Sequence, residues 1–215
     1  MKIRNAIKQS LVKLDLFHPV NLLRELPRII RWMTSGCSGA APHPIKMMIV
    51  RSYLTKYSLR RFIETGTYWG DTLDYVSKSE AHCTSIELSQ DLYEAAGRRF
   101  GRHKNVTLIQ GDSGKELPKL IAEIKEPTLF WLDGHYSSGI TASTEAHTPV
   151  SIELNAILNH PVKRHVILID DVSCFSGEND YPHLDELLRA VRTDGCYRIE
   201  ISADIIRLVP VRGPV

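Results

Sequence analysis

The sequence predicts an α/β domain whose mostly parallel sheet carries helices on both faces. Three observations carry that prediction. Five short, almost continuously apolar runs alternate with helical stretches, the pattern of strands buried on both sides. Each of those runs finishes in a carboxylate. The last two strand-like runs are only three residues apart, too few for a parallel crossover, so the sheet closes with an antiparallel hairpin.

The chain begins with two basic amphipathic stretches. Ile3, Ile7, Leu11 and Leu14 recur at helical spacing in residues 1–16, and a second such segment runs from Asn21 to Met33, with Pro19 and Pro27 as punctuation. Seven basic residues against two acidic ones put residues 1–35 at +5 and leave −3 on the remaining 180, within an overall +2. The segment reads either as a helical cap on the domain or as a basic surface for membrane lipid or a partner chain, including self-association. Ser35 to Pro44, rich in Gly, Pro and Ser, is a linker. The chain thus divides into residues 1–44, an N-terminal helical segment and linker, and residues 45–215, the main domain.

Ile45 to Tyr57 reads as a helix leading into the first strand, Phe62-Ile63-Glu64. That strand breaks into Thr65-Gly66-Thr67-Tyr68-Trp69-Gly70, a glycine-spaced turn before a helix. Glycines there bring backbone within reach of a ligand, and a helix N-terminus favours anionic groups. The spacing is G-x-x-x-G, not the G-x-G-x-x-G of dinucleotide binders. His82 to Glu87 is the second strand, and Ser89 is placed to cap a helix reaching Phe100. Val106 to Asp112 is the third, with Ser113 to Ile124 its helix. Thr128 to Asp133 is the fourth and His165 to Asp171 the fifth, separated by a helix from about Val150 to Asn159. A helix from about His183 to Val191 precedes the hairpin strands Tyr197–Ile201 and Ile205–Val209.

A composition of 43% hydrophobic and 24% charged residues is that of an ordinary soluble domain. The four cysteines form no C-x-x-C pair or metal-type cluster, and no window approaches 18 apolar residues. The expectation is a reduced, cytoplasmic protein.

The informative regularity is the row of strand-end acids: Glu64, Glu87, Asp112, Asp133 and the pair Asp170-Asp171. In an open parallel sheet these lie along the edge where ligands bind. Any one of them is readily explained as a helix cap. Like charges along one rim repel, however, unless cations or hydroxyl donors answer them. Glu87 follows Glu64 by 23 residues, near the spacing at which an acid closing the second strand grips ribose hydroxyls.

From Phe62 to Val209 these motifs resemble, in order, those of the class I S-adenosylmethionine-dependent methyltransferases. The resemblance implies a Rossmann-like, doubly wound, seven-stranded sheet with its last strand antiparallel. It also implies that Glu64, Gly66, Thr67 and Gly70 hold the methionine part of S-adenosylmethionine, that Glu87 takes the ribose hydroxyls, and that Asp112 and Ser113 lie beside the adenine. Tyr68-Trp69 departs from the smaller turn of many members. Leu132-Asp133-Gly134-His135 and Ile169-Asp170-Asp171 are similar to the metal-dependent O-methyltransferases of the catechol and macrolide-sugar kinds, which implies Mg²⁺ held by Asp133, Asp170 and Asp171.

The implied reaction is O-methylation of a small hydroxylated acceptor, such as a sugar or natural product, with Asp133 and His135 as catalytic residues and His135 the candidate base. Residues 134–149 form a long polar loop for the acceptor, with Tyr136, Ser137, Ser138 and Thr141 as contacts, flanked by Ser173 to Pro182. His147, His160, His165 and His183 read as surface or packing residues. The acidic core charge speaks against a nucleic-acid partner. Two alternatives stay open: a metal-free methyltransferase acting on another acceptor, and a domain that binds S-adenosylmethionine or a nucleotide without turnover.

Overall fold

The computed structural model describes residues 17–134, 148–178 and 181–211. Helix α1 (Phe17–Thr34) and helix α2 (His43–Lys56) precede a regular alternation. It runs β1 (Arg61–Thr65), α3 (Asp71–Ser77), β2 (His82–Glu87), α4 (Gln90–Phe100), β3 (Val106–Gln110), α5 (Ser113–Ile121), β4 (Leu129–Leu132), α6 (Val150–Leu158) and β5 (Val166–Ile169). A 3₁₀ turn at Val172–Cys174, helix α7 (Leu184–Asp194) and strands β6 (Tyr197–Ser202) and β7 (Ile205–Pro210) complete it.

The seven strands lie in the order β3-β2-β1-β4-β5-β7-β6. Neighbours from β3 to β5 pair in parallel, whereas β7 is antiparallel to both β5 and β6. The chain therefore starts in the middle, winds outward to β3, then returns to build the other half. The reversal between β1 and β4 creates the crevice at which open α/β sheets bind ligands.

Strand side chains alternate between two cores although nearly all are apolar. Phe62, Leu129, Trp131, Val166 and Leu168 face α2, α3 and α4, meeting Val50, Leu54, Leu73, Val76 and Phe100. Ile63, Phe130, Leu132, Ile167 and Ile169 face α5, α6 and α7, meeting Leu117, Leu154, Ile157 and Leu188. Burial on both faces is why these strands read as unbroken hydrophobic runs rather than alternating ones.

The expected proline breaks near the N-terminus do not occur. Helix α1 runs past both Pro19 and Pro27. Pro19 lies in the first turn, where its missing N–H has no intrahelical acceptor in any case; Pro27 sits in the interior and removes one backbone hydrogen bond. The amphipathic reading of residues 1–16 lies outside the described residues.

His160 and His165 pack inside, as expected, and form a directional chain. The Thr128 N–H donates to His165 Nδ1 at 3.2 Å, so the His165 proton is on Nε2, which faces His160 Nδ1 at 2.9 Å. Burial and the neighbouring His160 push the His165 pKa down to about 3. The chain ties the N-terminal ends of β4 and β5, the edge opposite the crevice.

Candidate active site

The backbone ladder carries each strand-end acid to the crevice. The Gly66 N–H donates to the Ile86 carbonyl at 2.9 Å, the Asp133 N–H to the Thr65 carbonyl at 3.2 Å and the Asp170 N–H to the Leu132 carbonyl at 3.0 Å. Pairing thus extends just past the strands, and β1, β2, β4 and β5 end side by side.

Gly66 has φ +83°, and a Cβ there would lie 2.4 Å from the Asp133 carbonyl oxygen. Gly70 has φ +73°, and its Cβ would meet the Phe100 ring at 2.6 Å. Both glycines are thus required by protein packing, Gly66 against β4 and Gly70 against α4, whatever approaches from solvent. Helix α3 is short and holds Asp71 and Asp74 in its first turn, with Asp71 2.9 Å from the Arg99 guanidinium. Its N-terminus therefore already carries two carboxylates, both paired to the Arg99 guanidinium.

Glu64 is 1% exposed and accepts the Ser85 hydroxyl at 2.7 Å, while Thr67 Oγ1 lies 2.5 Å from Ser85 Oγ. Burial, opposed by that hydrogen bond and reinforced by Asp133 and Glu87, pushes its pKa up to about 8. Glu87 is buried at the end of β2. Its two oxygens accept the Tyr68 N–H at 2.8 Å and the Ser89 N–H at 2.9 Å. Desolvation raises its pKa, and those backbone donors oppose the shift.

Asp112 caps α5 by accepting the Gly114 N–H at 3.0 Å, the plain structural role considered for any single acid of the row. Ser113, beside it, is buried. A Cβ on Gly134 would meet Thr65 Oγ1 at 3.1 Å and Ser113 Oγ at 3.3 Å. The turn leaving β4 therefore packs between β1 and α5. Ile152 of α6, half exposed, reaches within 3.6 Å of the same test position on Gly114 and puts an apolar group at the α5 end of the crevice.

Asp133, Asp170 and Asp171 converge: one carboxylate oxygen from each lies within 4.8 Å of the others. Hard oxygen donors so placed are what Mg²⁺ takes. A lysine is already there. Lys46 of α2, 7% exposed, puts Nζ 2.6 Å from Asp170 Oδ1 and 2.9 Å from Asp171 Oδ1. Asp170 Oδ1 also accepts the Asp171 N–H at 2.8 Å. Burial disfavours the ammonium, but Asp170 and then Asp171 more than offset it and hold the Lys46 pKa above its ordinary value. Burial and Asp133 push Asp170 up, to about 7, against the pull of Lys46. Lys46 thus already sits on the Asp170 and Asp171 side of this donor set.

His135, Tyr136, Ser137, Ser138, Thr141 and His147 lie outside the described residues. Of the second loop, Val172–Cys174 forms the 3₁₀ turn, Phe175 is buried in the core, and Ser176 bridges to His183. Sequence reading missed Lys46, Ile152 and Glu153. Glu153 is 1% exposed, with Oε2 3.5 Å from Thr65 Oγ1 at the end of β1.

No family model and no curated protein matches the sequence. Solved structures do match the fold. The S-adenosylhomocysteine-bound methyltransferase PaMTH1 of Podospora anserina superposes with a TM-score of 0.58 at 16% identity, over 79% of each chain. An O-methyltransferase from Bacillus cereus in complex with S-adenosylhomocysteine gives 0.54 at 14% identity, over 95% of this chain and 97% of its own. The 23S rRNA methyltransferase ErmE gives 0.51 at 16% identity, over 82% and 71%. An rRNA methyltransferase shares this architecture, so the fold itself does not exclude nucleic acid. The chain has the Rossmann-like fold of the class I S-adenosylmethionine-dependent methyltransferases.

Proposed function

We propose that this protein is an S-adenosylmethionine-dependent O-methyltransferase acting on a small hydroxylated acceptor. The observation that carries the reading is the placement of Glu64, the Gly66 turn and Glu87 side by side where the order of strands reverses. Glu87 is assigned to the ribose hydroxyls, Glu64, Gly66, Thr67 and Gly70 to the amino-acid part of the donor, and Asp112, Ser113 and the apolar Ile152 to the adenine end.

Bound S-adenosylmethionine supplies a methyl group on a sulfonium leaving group. The acceptor oxygen forms the new C–O bond as the C–S bond breaks, and the hydroxyl proton passes to a base. The protein then has to align the oxygen and take that proton. We assign the proton to Asp133 or to His135, two residues further along the sequence. Asp133, Asp170 and Asp171 line the acceptor side. For the Mg²⁺ suggested by those three acids, the residues as arranged already hold Lys46, and no step is assigned to a metal.

A small acceptor is favoured over nucleic acid by the net −3 of residues 36–215. The test is calorimetric titration with S-adenosylmethionine, with NADH as control. Micromolar binding of the sulfonium ligand alone supports the proposal. Binding of NADH alone, or of neither, overturns it. Binding with no methyl transfer to any acceptor class would favour the non-catalytic alternative.

We further propose that residues 45–215 form the catalytic unit and residues 1–44 an appendage that meets anionic membrane. Leu23, Leu26, Ile30 and Met33 lie along one side of α1 and are 44% to 69% exposed, with Arg24, Arg28 and Arg31 largely on the other side of the helix. Among the described residues no helix is long and apolar enough to cross a membrane, and the four cysteines are free, as suits the cytoplasm.

A further inference from the structure

We infer that Lys46 is the resident cation of the Asp133, Asp170 and Asp171 cluster, so that acceptor binding at this edge requires no divalent metal. The inference rests on reading this edge as the acceptor side of a methyltransferase. Its core, a lysine in place of an ion, is independent of the methyl donor.

Three features hold the ammonium in place. Lys46 is not a surface side chain that swings into the cluster; it issues from a helix anchored by the buried Met47, Val50 and Leu54. Its Nζ contacts two carboxylates at once, at 2.6 and 2.9 Å. The oxygen it shares with Asp170 also receives the Asp171 N–H, so both acceptor directions of that atom are used. A metal bridging Asp170 and Asp171 would have to enter the same space and expel a buried ammonium from both carboxylates. Mg²⁺ demands near-octahedral geometry and gives up its waters reluctantly, which makes it a poor competitor for oxygens that already hold a buried ammonium.

The backbone is bent to suit. Asp171 adopts φ 53° and ψ 52°, a left-handed conformation that aspartate tolerates better than most residues with a side chain, and its carboxylate remains partly exposed. This left-handed turn brings two successive acids to one ammonium. Lys46 acts here as a positioning residue: it fixes Asp170 and Asp171 and lets three acids share one edge.

The test uses the full chain and Mn²⁺ as the probe, followed by electron paramagnetic resonance or calorimetry. The wild-type protein is expected to show no saturable one-to-one Mn²⁺ binding into the millimolar range. Lys46→Ala, its fold checked by circular dichroism, is expected to gain a single site at least ten-fold tighter, lost again in Lys46→Ala/Asp170→Asn. Lys46→Gln keeps the side-chain length and serves if alanine unfolds the chain. One-to-one binding to the wild type that is abolished by Asp170→Asn overturns the inference. So does the absence of a site in both folded variants, since the lysine would then not be what keeps metal out. S-adenosylhomocysteine titration of the same samples reports separately on the donor site, so a failure there is distinguishable from a failure of the lysine assignment.

Discussion

The backbone N–H of Tyr68 donates to Glu87 Oε2 at 2.8 Å, so the acid that ends β2 also latches the turn after β1. Tyr68 has φ 49°, a conformation costly for a bulky side chain, and this hydrogen bond helps to hold it. The bond thus helps to seat the bulky Tyr68 in this tight turn.

Glu87→Ala is therefore expected to weaken S-adenosylhomocysteine binding at least ten-fold while circular dichroism stays native. Two losses contribute: the acceptor we assign to the ribose and the latch on the turn. Glu87→Gln should retain one amide oxygen for the latch and fall between alanine and wild type. Equal affinities for all three proteins would remove Glu87 from the donor site.

Gly66→Ala should destabilise the fold by about 2 kcal/mol or more, because a left-handed φ is combined with a 2.4 Å approach to the Asp133 carbonyl. Gly97→Ala is the matched control. It lies on an exposed face of α4 with ordinary φ and open space around its Cβ position, and should stabilise by roughly 0.5–1 kcal/mol. Denaturant midpoints read both, and a Gly66 variant as stable as wild type would deny the close packing of the turn on β4.

Two buried groups shape the pH dependence of stability from opposite sides. The Glu64 pKa is raised from 4.5 to about 8 on folding, so its contribution is fully present below 4.5 and is lost as pH climbs through 8. The His165 pKa is lowered from 6.5 to about 3, so its contribution is present above 6.5 and is lost as pH falls toward 3. Over pH 4.5 to 6.5 the two slopes oppose each other, which puts the plateau there. Glu64→Gln should remove the alkaline decline and leave the acid one. Urea titrations at pH 4, 6 and 9 check this, and an unchanged alkaline limb would mean that Glu64 ionises freely in the folded protein.

Ile30→Glu should reduce partitioning onto vesicles rich in phosphatidylserine at least ten-fold, with little binding of either protein to neutral vesicles. Sedimentation velocity on the same proteins reads the competing outcome. A concentration-dependent dimer that Ile30→Glu abolishes, with no vesicle binding, would assign the stripe to self-association.

Strands were legible in the sequence nearly to the residue because burial on both faces leaves runs such as Leu129–Leu132 and Val166–Ile169 with no polar interruption. The row of strand-end acids was legible for the same reason, since each follows such a run. Lys46 was not. It sits in an unremarkable stretch of helix, 125 residues from the Asp171 it touches, and only the folding of α2 over the end of β5 brings the two together. Glu153 and Ile152 were hidden in the same way, as one acid and one apolar residue in a helix whose pattern demands both. Pro27 misled because tertiary packing of α1, with Ile29 buried, outweighs the loss of one hydrogen bond.

The β6–β7 hairpin turns on Ala203 and Asp204, at φ 59° and 65°. Its tip is also fastened on two sides. Asp204 accepts the Val172 N–H on its carbonyl and the Ser173 N–H and hydroxyl on its carboxylate, while the Ala203 carbonyl accepts the Ala41 N–H. One tight turn thus clasps both the segment that follows the Asp170-Asp171 pair and the chain that leads into the helix of Lys46. Hairpin tips are the customary places to graft a tag or split a chain for permutation. Here the shortest connection in the sheet is the one least able to accept an insertion, since lengthening it would release the lysine and the two acids from the same anchor.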